Sequence, residues 1–260
     1  MKRVKIVKLD HSTGKVQRTF DYVAEEKPLH IYINGEHYVT LACSPSNLKE
    51  LAVGHLLSEG IIKALEEIAE VNLTSDGKCQ IKLKPKINIK SRITLARPYS
   101  RIISSACGSK WPHAFVGKTP KATSNLKVKA QLIKEYVKNL NVMAETFRKT
   151  GGVHAAAIYK SDGTIMAFAE DVGRHNAVDK AIGTAALNKA DFSNCFLALS
   201  GRLTADIVLK AARTKIPIVA SIAAALDSGI EIAKQTNITL IGFVRGNRMN
   251  IYNAPERILS

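Results

Sequence analysis

The sequence predicts an α/β protein, α+β overall. A smaller N-terminal α+β domain is expected over about 1–120. A three-layer α/β/α domain follows over about 121–260. After residue 154, short apolar runs alternate with helical stretches, the pattern of strands feeding helices on a mostly parallel sheet. Before residue 84, runs of period 2 are joined by Asn34-Gly35 and Asp76-Gly77, which are hairpin signals. The 260 residues, 46% apolar and 23% charged, suffice for one large domain or two smaller ones with a buried core.

Taken in order, residues 4–9 alternate as a strand does. In Leu29-His30-Ile31-Tyr32-Ile33-Asn34 the aliphatics share one face. Asn34-Gly35 turns the chain into a returning strand at 37–43. Ser46 is the expected N-cap of a helix over 47–58, with Leu48, Leu51, Ala52 and His55 inward. A strand at 79–83 follows the second hairpin and ends at Pro85. Residues 84–125, with four prolines, read as a long irregular connection; such a loop in a compact chain is usually functional or mobile. Residues 128–149 read as one helix, stopped by Gly151-Gly152. A hairpin at 154–159 and 164–169 turns at Asp162-Gly163. Helices at 175–188, 204–214 and 227–236 then alternate with strands at 195–199, 217–222 and 238–243, and a last strand spans 248–252.

Lys and Arg number 38 against 22 Asp and Glu, a net +16. Fourteen of those bases lie between Gly77 and Lys134, a stretch with no acidic residue. Such a field draws a polyanion: nucleic acid, a phosphorylated cofactor or an acidic protein. It is also compatible with a solvated lysine-rich surface. No apolar h-region opens the chain and no run approaches the ~20 residues of a membrane helix, so neither export nor membrane insertion is expected. Cys43, Cys79, Cys107 and Cys195 form no CxxC pair, which argues against a local zinc or iron–sulfur site and for free thiols in a reducing compartment, the cytoplasm.

Five segments could carry chemistry, though each also reads as an ordinary turn or cap. Cys107 sits in Ser104-Ser105-Ala106-Cys107-Gly108, where small neighbours leave the sulfur approachable and nearby bases favour thiolate. Cys43 and Cys195 lie in strand-like apolar contexts and read as inert core thiols. Thr150-Gly151-Gly152-Val153-His154 lets backbone approach a ligand, and His154 could donate a hydrogen bond or move a proton. In Glu170-Asp171-Val172-Gly173-Arg174-His175-Asn176, Asp171 could cap a helix while Arg174 and His175 face an anion at its start. Ser200-Gly201-Arg202 follows a strand, where open α/β sheets bind ligands, and Arg202 offers a fork for phosphate. Phe243-Val244-Arg245-Gly246-Asn247-Arg248 places two arginines about a turn. His154 and His175 fit no standard metal spacing, so no metal is expected.

The order of these motifs is more specific than any one of them. Leu51 to Ile62, Ser104 to Gly108, Thr150 to Ala156, Glu170 to Lys180, Ser200 to Arg202 and Gly242 to Gly246 together resemble the formate dehydrogenase accessory sulfurtransferases, the FdhD family. The likeness runs from about 29 to 253. It implies a sulfur carrier that takes persulfide sulfur from a cysteine desulfurase. That sulfur passes to the molybdenum cofactor, as bis(molybdopterin guanine dinucleotide), to activate formate dehydrogenase. It further implies a cytidine-deaminase-like C-terminal domain, a homodimer, Cys107 as the persulfide carrier and Phe243–Arg248 as a cofactor-binding segment. The cofactor would be a substrate rather than a resident group, with guanosine diphosphate (GDP) as a partial mimic. The zinc-deaminase signature itself is absent.

One position departs from the pattern. Many members carry Cys-Gly-x-Cys, whereas Lys110 stands at the second cysteine here and could instead stabilise a Cys107 anion. A cofactor-binding chaperone without covalent transfer is the alternative this raises. A nucleic-acid-binding protein is the third reading, weakened by the few aromatics (Tyr99, Trp111, Phe115) in the basic stretch.

Overall fold

The computed structural model describes residues 1–85, 87–96 and 120–260. Cys107 and Lys110, with Tyr99, Trp111 and Phe115, lie outside the described residues, as does most of the basic stretch's centre.

The architecture is mixed α/β. A hairpin of β1 (Lys2–Leu9) and β2 (Val16–Val23) opens the chain. A four-stranded sheet follows, ordered β4-β3-β6-β5, from β3 (Lys27–Ile33), β4 (Glu36–Cys43), β5 (Ile68–Leu73) and β6 (Lys78–Leu83). Helix α1 (Leu48–Ser58) lies between β4 and β5. The second sheet has six strands, β13-β12-β11-β10-β8-β9. These are β8 (His154–Lys160), β9 (Ile165–Asp171), β10 (Cys195–Leu199), β11 (Ile218–Ser221), β12 (Thr239–Arg245) and β13 (Arg248–Asn253).

Sequence alternation builds three layers. Ala156, Ile158, Leu197, Leu199, Val219 and Leu240 point to one side, where α1, α5 (Arg174–Leu187), α6 (Ala205–Arg213) and α7 (Asp227–Thr236) pack. Ala157, Tyr159, Phe196, Ala198, Ile218 and Ile241 point to the other, against α3 (Ala130–Met143). The sheet is mixed rather than mostly parallel: only the β10–β11 and β11–β12 pairs are parallel, while β8 runs antiparallel to both neighbours and β13 to β12. The tight Asp162-Gly163 turn accounts for the β8–β9 pair and the Gly246-Asn247 turn for β12–β13, since such turns can only join antiparallel strands.

Three local expectations are corrected. The α1 N-cap is Asn47, at φ 52, with no side-chain cap, and not Ser46. Within 84–125 the chain makes a helix, α2 (Ile89–Ala96), held by the paired Arg92–Glu67 side chains. The 128–149 segment is three pieces: β7 (Val128–Lys129), paired with β14 (Ile258–Leu259), then α3, then α4 (Glu145–Thr150) after a break at Ala144. The helical stripe continues through the break, so periodicity alone does not reveal it. Phe147, beyond the break, is 42% exposed. β2 carries too little apolar alternation to announce itself.

Helix α1 crosses α5 so closely that backbone meets backbone. A Cβ on Gly54 would lie 1.8 Å from the Asp179 carbonyl oxygen, and one on Gly183 1.9 Å from that of Glu50. Residues on both sides of position 120 therefore share the larger core.

Candidate functional site

Because β8 is antiparallel to both neighbours, the start of β8 and the ends of β9 and β10 meet at one sheet edge. His154 opens β8 and pairs in register with Asp171, the last residue of β9. Leaving β10, the Ser200 amide donates to the Ala155 carbonyl (2.9 Å) and Ser200 Oγ accepts from the Ala155 amide (3.0 Å). Ser200 Oγ lies 3.5 Å from His154 Nδ1. Gly201 passes so near Arg174 that an added Cβ would sit 3.0 Å from the Arg174 Cβ.

Asp171 is not a first-turn cap. Its Oδ2 accepts from buried Lys180 Nζ (2.6 Å) and the Ser44 amide (3.0 Å), and its Oδ1 from the Gly173 amide (2.8 Å) and Asn176 Nδ2 (3.0 Å). Lys180 also donates to the Ser44 carbonyl at 2.9 Å. This carboxylate is spent on pinning the β9–α5 turn to the loop after β4. The α5 N-terminus itself has Gly173 as N-cap and no side-chain cap.

Around that open helix end the charges are positive and close. Burial, then the Arg202 charge, pushes the Arg174 guanidinium down from its ordinary value, with Asp206 opposing. Burial, then Arg174 and Arg202, pushes His154 down. His175 is pushed down to about 4 by burial, then by Lys210 and Arg174. Three buried polar atoms here have no hydrogen-bond partner: Arg174 Nε, His175 Nε2 and Thr204 Oγ1. Buried polar groups are otherwise almost always satisfied. Two guanidinium groups, two imidazoles and unpaired donors at an uncapped helix start suit phosphate oxygens.

The structure thus brings His154, Arg174, His175 and Arg202 together. Phe243–Arg248 lies on the same edge but two strands beyond β10. Val244 is buried in the second core, while Arg245, Gly246, Asn247 and Arg248 are exposed. The Arg245 guanidinium lies 5.1 Å from the Phe243 ring centroid. A relay joins the two groups: Ser221 Oγ donates to the Gly201 carbonyl (2.6 Å) and accepts from the Ala223 amide (3.0 Å), and the Ala223 carbonyl accepts from the Phe243 amide (2.9 Å).

Sequence reasoning missed the ionic floor beneath this site. Lys210, 3% exposed, donates to Asp179 (2.9 Å), Glu59 Oε1 (2.8 Å) and Ser58 Oγ (3.0 Å). His55 Nδ1 lies 3.0 Å from Asp179 Oδ2, and Ser58 Oγ donates to Asp179 Oδ1 at 2.6 Å. The available signal was charge on an apolar face: Asp206 and Lys210 sit four apart among Ala205, Ile207, Val208 and Ala211. Asp206 is the exposed-side member, with Oδ2 3.8 Å from His175 Nε2. Burial, then Glu59, pushes its carboxyl up to about 6, against Lys210, Arg174 and Arg213.

A raised carboxyl pKa penalises the folded state once the unfolded chain would be ionised. The penalty is nil below pH ~4 and complete above pH 6. Asp206→Asn should therefore stabilise the protein by on the order of 1–2 kcal/mol at pH 7.5, after discounting for its partial exposure. The gain should vanish at pH 3.5; urea denaturation at the two pH values measures it. A variant equally or less stable at pH 7.5 would overturn the assignment.

The described thiols Cys43, Cys79 and Cys195 are buried, and burial pushes each up to about 11. Among the described residues no three His, Cys, Asp or Glu are grouped to hold a metal, and no helix is long and apolar enough to cross a membrane.

A model of the FdhD/NarQ family matches residues 24–259. The chain is 36% identical to a protein of Sulfurisphaera tokodaii, over 100% of this chain and 99% of that one. It is 38% identical to one of Shouchella clausii, over 94% and 92%, and 34% identical to one of Bacillus subtilis, over 95% and 94%. Each of the three is called sulfur carrier protein FdhD. A crystal structure from Desulfotalea psychrophila, described as a formate dehydrogenase accessory protein, superposes with a TM-score of 0.79 at 29% identity, covering 99% of both chains.

Proposed function

The chain belongs to the FdhD/NarQ family, and from that membership we propose that it is a sulfur carrier serving formate dehydrogenase. In this reading Cys107 takes sulfur from a cysteine desulfurase and delivers it to bis(molybdopterin guanine dinucleotide), in a cytoplasmic homodimer. The Cys107 thiolate attacks the terminal sulfur of the donor persulfide. The donor's S–S bond breaks, the donor leaves as a thiolate, and Cys107 holds the persulfide. The described thiols do not compete, because burial keeps them protonated.

The observation that carries the cofactor half of the reading is the sheet-edge cluster, in which Arg174 Nε and Thr204 Oγ1 have no hydrogen-bond partner. A pyrophosphate would satisfy these donors and neutralise the paired arginines. The Phe243–Arg248 turn, on the same edge, offers a ring and two further guanidinium groups for the nucleotide.

Two measurements test the two halves. Intact-protein mass spectrometry after incubation with a cysteine desulfurase and cysteine should show a reducible gain of one sulfur. That gain should be absent in Cys107→Ala, which should also fail to activate formate dehydrogenase. Calorimetric titration with GDP should show at least a tenfold weaker affinity in Arg174→Ala and Arg202→Ala. Lys110 at the second cysteine position favours the chaperone as a second reading. Activation that survives Cys107→Ala but fails in Arg245→Ala and Arg248→Ala would establish that reading and end the covalent one.

A further inference from the structure

The β1–β2 hairpin immediately precedes residue 24, where the family match begins. Its register is regular over eight pairs, from Lys2↔Val23 to Leu9↔Val16. Cross-strand partners share a face, so one face carries Arg3, Lys5, Val7 and Leu9 opposite Tyr22, Phe20, Arg18 and Val16. The other face carries Val4, Ile6 and Thr19, all half-buried, and so turns toward the body of the protein.

The outward face is unusually apolar for solvent. Val7 is 64% exposed, Val16 63%, Leu9 51%, and Phe20 and Tyr22 48% each. It is also cationic: the Arg3 guanidinium sits 3.9 Å from the Phe20 ring centroid, with Lys5 and Arg18 beside it. Residues 1–23 hold six Lys and Arg against two Asp. One of the two, Asp10, is occupied by Ser12 and Thr13 within its own turn. The hairpin is a two-stranded sheet, and the outer edge of β1 pairs with no other strand among the described residues. Two strands alone are marginal in water, and an open edge invites a third.

We propose that the β1 edge and outward face dock an extended acidic segment of a partner protein, which adds as a third strand and lays alternate apolar side chains over Val7, Leu9 and Phe20. The edge lysines select the occupant. Lys2, Arg3, Lys5 and Lys8 repel a second copy of this strand, so self-pairing is disfavoured, while the carboxylates of an alternating segment, on the face opposite its apolar side chains, are drawn to Lys2 and Lys8. Three of the five exposed apolar side chains are aliphatic, which suits a protein strand better than stacked bases.

The test uses the full chain and a fluorescein-labelled ten-residue peptide alternating Glu with Val and Phe, read by fluorescence anisotropy. Saturable binding is expected. It should weaken at least tenfold in the pair Lys2→Glu, Lys8→Glu, whose side chains share the face of the peptide's Glu residues, and in the pair Phe20→Ser, Tyr22→Ser. It should be lost with the Lys-for-Glu peptide and with a peptide N-methylated at alternate amides, which cannot pair as a strand. Thermal melts unchanged in these variants would place the loss at the surface. Equal binding of the acidic and Lys peptides, or no effect of charge reversal, would overturn the proposal. So would full binding of the N-methylated peptide, which would leave no strand addition. Displacement by oligo-deoxythymidine or by phosphatidylserine vesicles without competition between two acidic peptides would hand the face to nucleic acid or lipid. A change of oligomeric mass in the charge variants would hand it to a second copy.

Discussion

Gly54→Ala and Gly183→Ala should each cost roughly 3 kcal/mol or more, the upper end for overpacking a tight core. For a chain of this size that is a fall in Tm of about 6–12 °C. The added methyl would not meet flexible side chains. At 54 it meets the Asp179 carbonyl oxygen at 1.8 Å and the Gly183 amide nitrogen at 2.7 Å; at 183 it meets the Glu50 carbonyl oxygen at 1.9 Å. Backbone cannot swing aside, so α1 and α5 must separate. Asp179 would then be drawn off His55 and Ser58 on the facing helix. Thermal melts followed by circular dichroism check this. A Tm within 2 °C of the parent would show that the helices can part without loss.

Lys210→Met should be as damaging, by about 3–5 kcal/mol at pH 7, because it strands two buried carboxylates. Burial alone would raise the Glu59 carboxyl, but the Lys210, His55 and Arg213 charges outweigh it and hold the group well below its ordinary range. Asp179 behaves alike: burial opposes, and Lys210 and His55 prevail. A depressed carboxyl pKa stabilises the fold above the unfolded value, about 4, and that stability drains away as pH falls through the folded value. The parent protein should therefore lose stability as pH drops below 4. In Lys210→Met the same carboxylates are held up instead of down, so its deficit should be largest at pH 7 and shrink as both are protonated. Urea denaturation at pH 7, 5 and 3.5 measures the convergence. A deficit independent of pH would mean that the lysine stem's packing, and not its charge, is what matters.

Much of this was legible in the sequence because it is written in local periodicity. The Asn34-Gly35 and Asp162-Gly163 hairpins, and the alternation of strands and helices after 195, follow from spacings of two and of three to four. The break at Ala144 was not legible, since the apolar stripe of α3 runs through it. Nor was the direction of β8, which depends on pairing with a strand some forty residues away. At the site, Arg174, His175, Arg202 and His154 could be named because each sits at a strand or helix end. Glu59, Asp179 and Lys210 could not, since Asp179 and Lys210 lie inside helices and Glu59 at the C-cap of α1, and only tertiary contact shows that their charges meet. The string from Glu170 to Lys180 proves to be mixed. Asp171, Asn176 and Lys180 hold the turn together, and Arg174 and His175 are what remain for a ligand.

The pins that hold the strand ends have a further effect during synthesis. Ser44 bonds to Asp171 across 127 residues, His55 to Asp179 across 124 and Ser58 to Lys210 across 152. Contacts of such separation are made only after a large loop has closed, and they slow folding. As the nascent chain leaves the ribosome, α1 emerges without the α5 helix it packs against and with its Glu59 carboxylate lacking a counterion. It must wait until α6 appears, some 150 residues later. The Glu59 carboxylate thus stays without its counterion until most of the chain has been made.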